Sequence, residues 1–212
     1  MRALAVAACV LALVAVAGNA SAAFQSSVSR IPPDVRERVV GSSWHPGCPV
    51  PLRKLRLVRV SIHKFDDSKQ QARLIVHRTQ AHKIVRVFHK LWRADYQIRR
   101  MRLIDAYGAD DDRSMDADNT SAFNCRFVAG TNDWSMHAYG KAIDLNPVEN
   151  PYVSGDHVSP EKGTKYADRC CHRAIIHPDD KVVRAFASVG WGWGGSWSGG
   201  TKDYQHFSTT GG

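Results

Sequence analysis

The sequence lacks a hydrophobic run long enough to cross a membrane as a helix, and it lacks internal repeats. Its longest apolar run covers residues 3–17, whereas a membrane-spanning helix needs about 20 apolar residues. A polytopic membrane protein is therefore excluded, and the absence of heptads and repeats excludes coiled coils and solenoids. With 212 residues, 43% of them hydrophobic and 23% charged, the chain suits one globular domain and is unlike a disordered polypeptide.

Three familiar catalytic or metal-binding signatures are also missing. No H-E-x-x-H motif occurs, which excludes a gluzincin-type metalloprotease. The closest approach to G-x-S-x-G begins at Gly194 but ends in Ser198, so a serine hydrolase is disfavoured. No C-x-x-C pair is present, which disfavours a cysteine zinc site. A cysteine peptidase using Cys125 remains an alternative, although a disulfide is the simpler role for this residue in an exported chain.

The apolar run is typical of an export signal. Arg2 precedes it, and Ala20-Ser21-Ala22 follows it as an A-x-A cleavage site. We therefore expect cleavage after Ala22 and a secreted or envelope-associated protein without stable membrane insertion. The alternatives are an uncleaved membrane anchor and a lipoprotein signal at residues 6–9, which lie too near the start for a typical lipoprotein signal. The predicted organisation is a signal peptide at 1–22, a loosely held arm at 23–47 and one domain at 48–212.

Export makes disulfides the natural interpretation of the remaining cysteines. Without Cys9, four are left: Cys48, Cys125, Cys170 and Cys171. Four cysteines allow three pairings. Cys170 and Cys171 are adjacent, and we do not expect them to pair with each other because a disulfide between neighbours strains the backbone.

The chain is basic, with a formal net charge of +9. Because no nucleic-acid-binding motif accompanies the charge, we expect no nucleic-acid partner. An anionic cell envelope or a merely solvated basic surface explains the excess.

Hydrophobic periodicity predicts a mixed α+β domain with one small sheet. The expected elements are strands at 55–62 and 101–106, helices at 79–96 and 179–189, an acidic solvated loop at 108–118, and short strands joined by tight turns at 190–207. Thr79 is the expected N-cap of the first helix.

Two segments carry the residue types of a catalytic zinc site. The first contains His137 and Asp144, and the second contains Asp203 and His206. Such a site needs three N or O ligands with an open position for water, and a carboxylate that takes the water's proton. His137, Asp144 and His206 are the predicted ligands, with Asp203 as the base. A turn or bulge must separate Asp203 from His206, because a regular strand would point them to opposite faces. Gly140 is expected to let the first ligand pack closely on the strand that bears the second.

These segments resemble the D-alanyl-D-alanine carboxypeptidase and L-alanyl-D-glutamate endopeptidase family of zinc peptidases, which includes VanY-like proteins. The family pattern is S-x-H-x-x-G-x-A-x-D, followed far downstream by a carboxylate three residues before a final His-Phe. The matching positions are Ser135, His137, Gly140, Ala142, Asp144, Asp203, His206 and Phe207. Further segments at 101–105, 119–126, 143–147 and 190–195 extend the resemblance over residues 48–208, most closely to the exported, carboxypeptidase-like branch.

The resemblance implies a small central antiparallel sheet with flanking helices, the Hedgehog/DD-peptidase-like fold. It also implies one zinc ion and a peptidoglycan stem peptide as substrate, outside a bacterial cell. By the same resemblance Arg126 binds a substrate carboxylate or the developing oxyanion, with a structural salt bridge as its alternative role. Ser121 and Ser135 are expected to hydrogen-bond the substrate. Many relatives have Glu where this chain has Asp203.

Cys48 and Cys125 each lie in a segment like those of the family, so we predict a disulfide between them. The expected activity is that of a carboxypeptidase. Cleavage of the L-Ala–D-Glu bond, or binding of wall peptide without turnover, are the alternatives. No oligomeric state is predicted.

Overall fold

The computed structural model describes residues 23–211. The predicted signal peptide, residues 1–22, lies outside these described residues. Within residues 23–211, no helix is both long enough and apolar enough to span a membrane.

An antiparallel sheet and two helices form the N-terminal half of the molecule. The elements are β1 (Ser26–Ser29), α1 (Pro33–Val39), β2 (Leu55–His63), β3 (Lys69–His77) and α2 (Ala81–Arg93). The strand order is β1-β2-β3, and β2 pairs with β3 over nine residues in each strand. The alternation predicted at 55–62 is therefore confirmed as a strand.

The two faces of this sheet pack against different helices. Val58 and Val60 point to α2, whose apolar side contains Ile84 and Phe88. Leu57, on the opposite face, packs with the two buried valines of α1, Val35 and Val39. This alternation follows from the two-residue period of a strand, and it places a helix on each side of the sheet.

The expectation of a loosely held N-terminal arm is wrong. β1 pairs with β2 from Ser26↔Val60 to Ser29↔Leu57, and α1 buries Val35 and Val39 completely. The valines are four residues apart, so they share one face of a short helix. Residues 26–39 therefore belong to the folded core, whatever the position of the domain boundary.

The C-terminal half consists of short elements. They are β4 (Arg100–Met101), α3 (Asp111–Asp116), β5 (Asn119–Thr120), β6 (Ala142–Asp144), β7 (Tyr152–Ser154), β8 (His157–Ser159), α4 (Lys181–Ala187), β9 (Gly192–Trp193), β10 (Thr201–Asp203) and β11 (His206–Ser208). Two further three-stranded antiparallel sheets have the orders β6-β11-β9 and β10-β7-β8, while β4 and β5 form a parallel pair. The mixed architecture is as predicted, but small separate sheets replace the single central sheet.

Several predicted boundaries need correction. The helix predicted at 79–96 is α2, which begins later than expected. Its N-cap is Gln80 rather than Thr79, and the Gln80 side chain makes no capping hydrogen bond. The strand expected at 101–106 is limited to β4, because a 3-10 helix occupies Ile104–Tyr107. The acidic segment is not only a loop: Asp110 accepts a hydrogen bond from the Arg113 amide and starts α3. The predicted helix at 179–189 is confirmed as α4.

The principal core joins the two halves. Val58 and Phe88 belong to the same buried cluster as Trp193 and Phe207. Phe207 is fully buried on β11 and stacks on Phe186 of α4 with ring centroids 4.0 Å apart. The Phe of the His-Phe motif therefore anchors the strand that carries the last predicted ligand.

The four cysteines within the described residues are joined in two pairs. Cys48 is bonded to Cys125, 77 residues away, which agrees with the predicted pairing and links the N-terminal segment to the segment before the first zinc motif. The structure also pairs Cys170 with Cys171, contrary to expectation. Arg169 and Cys171 both have left-handed backbone, with φ of 59° and 42°, and this tight turn brings the neighbouring sulfur atoms together.

Candidate metal centre and active site

Three elements bring the predicted ligands together. His137 lies in the 3-10 helix Met136–Tyr139, Asp144 is the last residue of β6, and His206 is the first residue of β11. The register of β6 and β11 places Asp144 directly opposite His206. Asp144 Oδ2 is 3.1 Å from His137 Nε2, and Asp144 Oδ1 is 3.1 Å from His206 Nδ1.

Local hydrogen bonds orient His137. Its Nδ1 lies 2.5 Å from the Ala122 carbonyl oxygen, so Nδ1 carries a proton and donates a hydrogen bond to that carbonyl. Ser135 caps the 3-10 helix by accepting a hydrogen bond from the His137 amide at 3.2 Å. Both contacts direct Nε2 towards Asp144.

The backbone of Ser121 fixes Asp144. Its N–H and carbonyl bond the carbonyl and N–H of Asp144, both at 3.0 Å. Ser121 and Ser135 are themselves buried. The structure thus gives the two serines local structural contacts beside the site, and substrate hydrogen bonding by their hydroxyls stays a prediction.

Gly140 ends the turn that holds His137, and it permits a close approach. It has φ of 62°, and a Cβ there would lie 2.6 Å from the His77 backbone nitrogen. His77 donates this N–H to the Gly140 carbonyl at 2.8 Å. The predicted close packing is therefore present, but its partner is β3 rather than the strand that bears Asp144.

Burial and charge determine the protonation of the cluster. Burial alone would raise the pKa of Asp144, but His137 and His206 outweigh it and hold that pKa below its ordinary value. Burial would conversely lower the pKa of His206, while its contact with Asp144 raises it above the usual value. The Asp144 carboxylate is therefore ionised between two imidazoles.

The three residues fit a zinc ion by their chemistry. Their ligand atoms lie within 4.8 Å of one another, and all three residues are buried. Among the described residues, His137 Nε2 has no hydrogen-bond partner, although it is shielded from solvent and lies 3.1 Å from the Asp144 carboxylate. An imidazole–carboxylate–imidazole donor set is one that catalytic zinc accepts, and the Ala122 carbonyl on His137 is the kind of contact that orients a metal-binding histidine.

Asp203 lies beside this cluster at the end of β10. A bend at Tyr204 and Gln205 separates it from His206, so the predicted break between the two residues is confirmed. Asp203 Oδ1 is buried and has no hydrogen-bond partner within residues 23–211. Burial, reinforced by the charge of Asp144, raises the pKa of Asp203 to about 7. Such a carboxyl group can accept or release a proton near neutral pH.

Arg126 forms a salt bridge with an acid of the segment that the sequence predicts to be a solvated loop. Arg126 Nη2 lies 2.6 Å from Asp111 Oδ2, and the two side chains are 30% and 23% exposed. Burial raises the pKa of Asp111 despite the opposing charge of Arg126. The salt bridge foreseen as an alternative role of Arg126 is therefore present, and a role in substrate binding stays a prediction.

Two further supports of the site escaped sequence interpretation. A Cβ at Gly194 would lie 2.5 Å from the Asp203 carbonyl oxygen, so only glycine permits the observed approach of these segments. Arg169 stacks its guanidinium 4.1 Å from the ring centroid of Tyr204, within the bend after Asp203. The glycine-rich run at 190–195 was a visible signal for the first, but nothing in the sequence connects Arg169 with Tyr204.

Taken together, the site has the character of a hydrolase centre: a possible metal-binding trio, an adjacent carboxyl group of raised pKa and a nearby arginine. A family model described as D-alanyl-D-alanine carboxypeptidase matches residues 129–209. The match includes both motif segments and confirms the resemblance to that peptidase family over this part of the chain. No curated protein and no solved structure matches the chain significantly.

Proposed function

We propose that this protein is an exported zinc peptidase that hydrolyses peptidoglycan stem peptides, as a D-alanyl-D-alanine carboxypeptidase. The observation that carries the proposal is the meeting of His137, Asp144 and His206 beside Asp203, within the segment that matches the peptidase family. Export rests on residues 1–22, and N-terminal sequencing of the secreted protein tests it. A chain that still begins at Met1 would contradict cleavage after Ala22.

His137, Asp144 and His206 would hold the zinc ion. When bound, zinc lowers the pKa of a water molecule and polarises the scissile carbonyl. Asp203, buried beside the three ligands, then accepts the proton of the attacking water and returns it to the leaving amine. Arg126 offers a cation to a substrate carboxylate or to the developing oxyanion, while Asp111 holds it in place.

Digestion of defined stem peptides tests the substrate and the bond. We expect mass spectrometry to show loss of the terminal D-alanine, activity to disappear with a chelator, and activity to return with zinc. Cleavage between L-Ala and D-Glu would instead establish the endopeptidase alternative. If the protein holds zinc and binds stem peptide without cutting it, the alternative of a non-catalytic wall-peptide-binding protein would be established.

Two variants three positions apart separate the base from the ligands. Asp203→Ala should keep its zinc and its stem-peptide binding while hydrolysis falls by about 10²–10⁴-fold, the usual cost of losing a general base. His206→Ala should lose both zinc and activity. Metal analysis and hydrolysis rates are measured on both proteins. Wild-type rates for Asp203→Ala would refute the assigned mechanism, and a full complement of zinc in His206→Ala would refute the ligand set.

A further inference from the structure

Arginines that have no ion-pair partner among the described residues lie on the sheet face that α1 only partly covers. Leu57 and Ile75 of this face pack under α1. Arg59 follows Leu57 by two residues, and Arg73 precedes Ile75 by two residues. Both arginines therefore point to the same side, because side chains alternate along a strand. These two arginines are directly opposed in the β2–β3 register. Like charges in opposed positions destabilise a sheet, so this pair costs stability unless an anion neutralises it.

A groove of about 640 Å³ contains this pair. Arg38 of α1 and Arg102 also line it, and Asp105 is its one carboxylate. Within residues 23–211, no carboxylate lies at ion-pair distance from the four guanidinium groups. The groove therefore presents four guanidinium groups against a single acid, and guanidinium groups are well suited to phosphate oxygens.

A second basic groove lies on the other side of α1. Its volume is about 510 Å³, and its cationic lining residues are Arg30, Arg36, Arg53, Lys54, Arg56 and Arg78. Among the described residues no carboxylate lines it, and the acids of α1, Asp34 and Glu37, line neither groove. Arg36 and Arg38 are two residues apart and so project about 200° apart around the helix. Helix α1 consequently runs between two basic grooves.

We propose that these two grooves bind a linear phosphodiester polymer that carries no bases. Two grooves flanking one helix suit an extended chain, whereas a single phosphate ion would need only one of them. In the part of the chain that the structure describes, no aromatic side chain lines either groove, whereas proteins that bind single-stranded nucleic acids typically stack the bases on aromatic rings. None of the lining residues belongs to the metal centre, so this surface is separate from the peptidase site and does not depend on the proposed function.

Binding of the mature protein to poly(glycerol phosphate) at increasing salt concentrations tests the proposal. Affinity should fall with salt as counterions are released. Arg59→Gln/Arg73→Gln should weaken binding about tenfold and reduce the slope of log affinity against log salt by about 1.5, because two phosphate contacts are lost. The exposed pair Arg38→Gln/Arg102→Gln should act similarly, and it decides the outcome if the first variant fails to fold.

The matched control removes the same charge elsewhere. Arg86 and Arg93 are exposed on α2, on the opposite side of the sheet. Arg86→Gln/Arg93→Gln should leave the salt slope unchanged, and an equal loss of affinity in this control would overturn the proposal. So would the absence of polymer binding by the wild type, tighter binding of an oligothymidylate with the same number of phosphates, or full displacement of the polymer by inorganic phosphate at equal phosphate concentration.

Discussion

The two halves of the molecule differ in the length and regularity of their helices and strands. Residues 26–93 contain two nine-residue strands and a 13-residue helix, whose backbone groups are satisfied by regular hydrogen bonding. Residues 119–208 contain strands of only two or three residues, and the predicted catalytic and metal-binding residues lie there. The regular half is a support, and the irregular half places side chains from several short segments at one point.

In the irregular half, side-chain amides form the hydrogen bonds to backbone groups that strand pairing and helix formation provide in the regular half. The Asn146 side chain donates to the Gln97 carbonyl at 2.8 Å and accepts from the Arg99 amide at 3.0 Å. Asn150 Oδ1 accepts from Arg169 and from the Ile176 amide, both at 2.8 Å. Both asparagines are fully buried. Because buried backbone groups must be paired, these amides let loops pass through the interior and hold the bend next to Asp203.

The largest expected effect concerns the covalent link between the halves. Replacing Cys48 and Cys125 by serine opens a loop of 77 residues and should lower the free energy of unfolding by about 4 kcal/mol on the chain-entropy model. Unfolding should remain one transition, because Phe207 and Val58 share one core cluster. Chemical denaturation measures both quantities.

The matched control is the second cysteine pair. Cys170→Ser/Cys171→Ser opens no long loop, so its stability should change far less. Two separate transitions in the Cys48→Ser/Cys125→Ser variant would show that the disulfide, rather than the shared core, makes the halves cooperative. Equal losses in both variants would contradict the loop-entropy account.

A second prediction tests whether the irregular half is as tightly constrained as its contacts indicate. Gly194→Ala must push its new Cβ away from the Asp203 carbonyl oxygen, 2.5 Å from the ideal position, and so displace Asp203. A shift of about 1 Å in a catalytic group can cost 10²-fold in rate, so we expect stem-peptide hydrolysis to fall by about that factor while zinc content is retained.

Gly200→Ala is the control for this substitution. No atom lies within 4 Å of a Cβ at Gly200, and its φ is not left-handed. Its hydrolysis rate should equal that of the wild type. If Gly194→Ala hydrolyses stem peptide at the wild-type rate, the segment at 190–195 can shift without displacing Asp203, despite the close contact between them.

The same contrast explains what the sequence could predict. Alternation over eight residues located β2, and helical periodicity located α2 and α4, because each pattern repeats over a long element. Strands such as β6 and β11 are too short to carry a period. They were located instead by the chemistry of His137, Asp144 and His206, residue types that a zinc site needs in combination.

What the sequence could not reveal are contacts between distant segments without a local signature. The Ala122 carbonyl that orients His137 comes from a backbone group, which any residue would supply. Asp111 contacts Arg126 from the first residue of α3, in an acidic segment that the sequence predicts to be a solvated loop. The single sheet was predicted from the periodicity of separate segments and from the family resemblance, and neither specifies which short strands of this chain pair.

The smallest expected effect concerns the N-cap of α4, which is a helix within the irregular half. Asp180 caps this helix by accepting hydrogen bonds from the amides of Val182 and Val183 at 2.7 and 2.9 Å. Asp180→Ala leaves both amides without that acceptor and should cost about 1 kcal/mol of stability. Asp180→Asn should retain most of it, because asparagine caps a helix about as well. Thermal unfolding of the three proteins measures the difference.

The hydrolysis rate of Asp180→Ala shows whether the loss of stability at α4 also affects the site, since Phe186 of α4 stacks on Phe207, next to His206. We expect it to stay unchanged, because Asp144 and the β6 register still hold His206. A marked loss of activity in Asp180→Ala would mean that α4 positions this ligand, and that the boundary between supporting and site-bearing elements lies elsewhere.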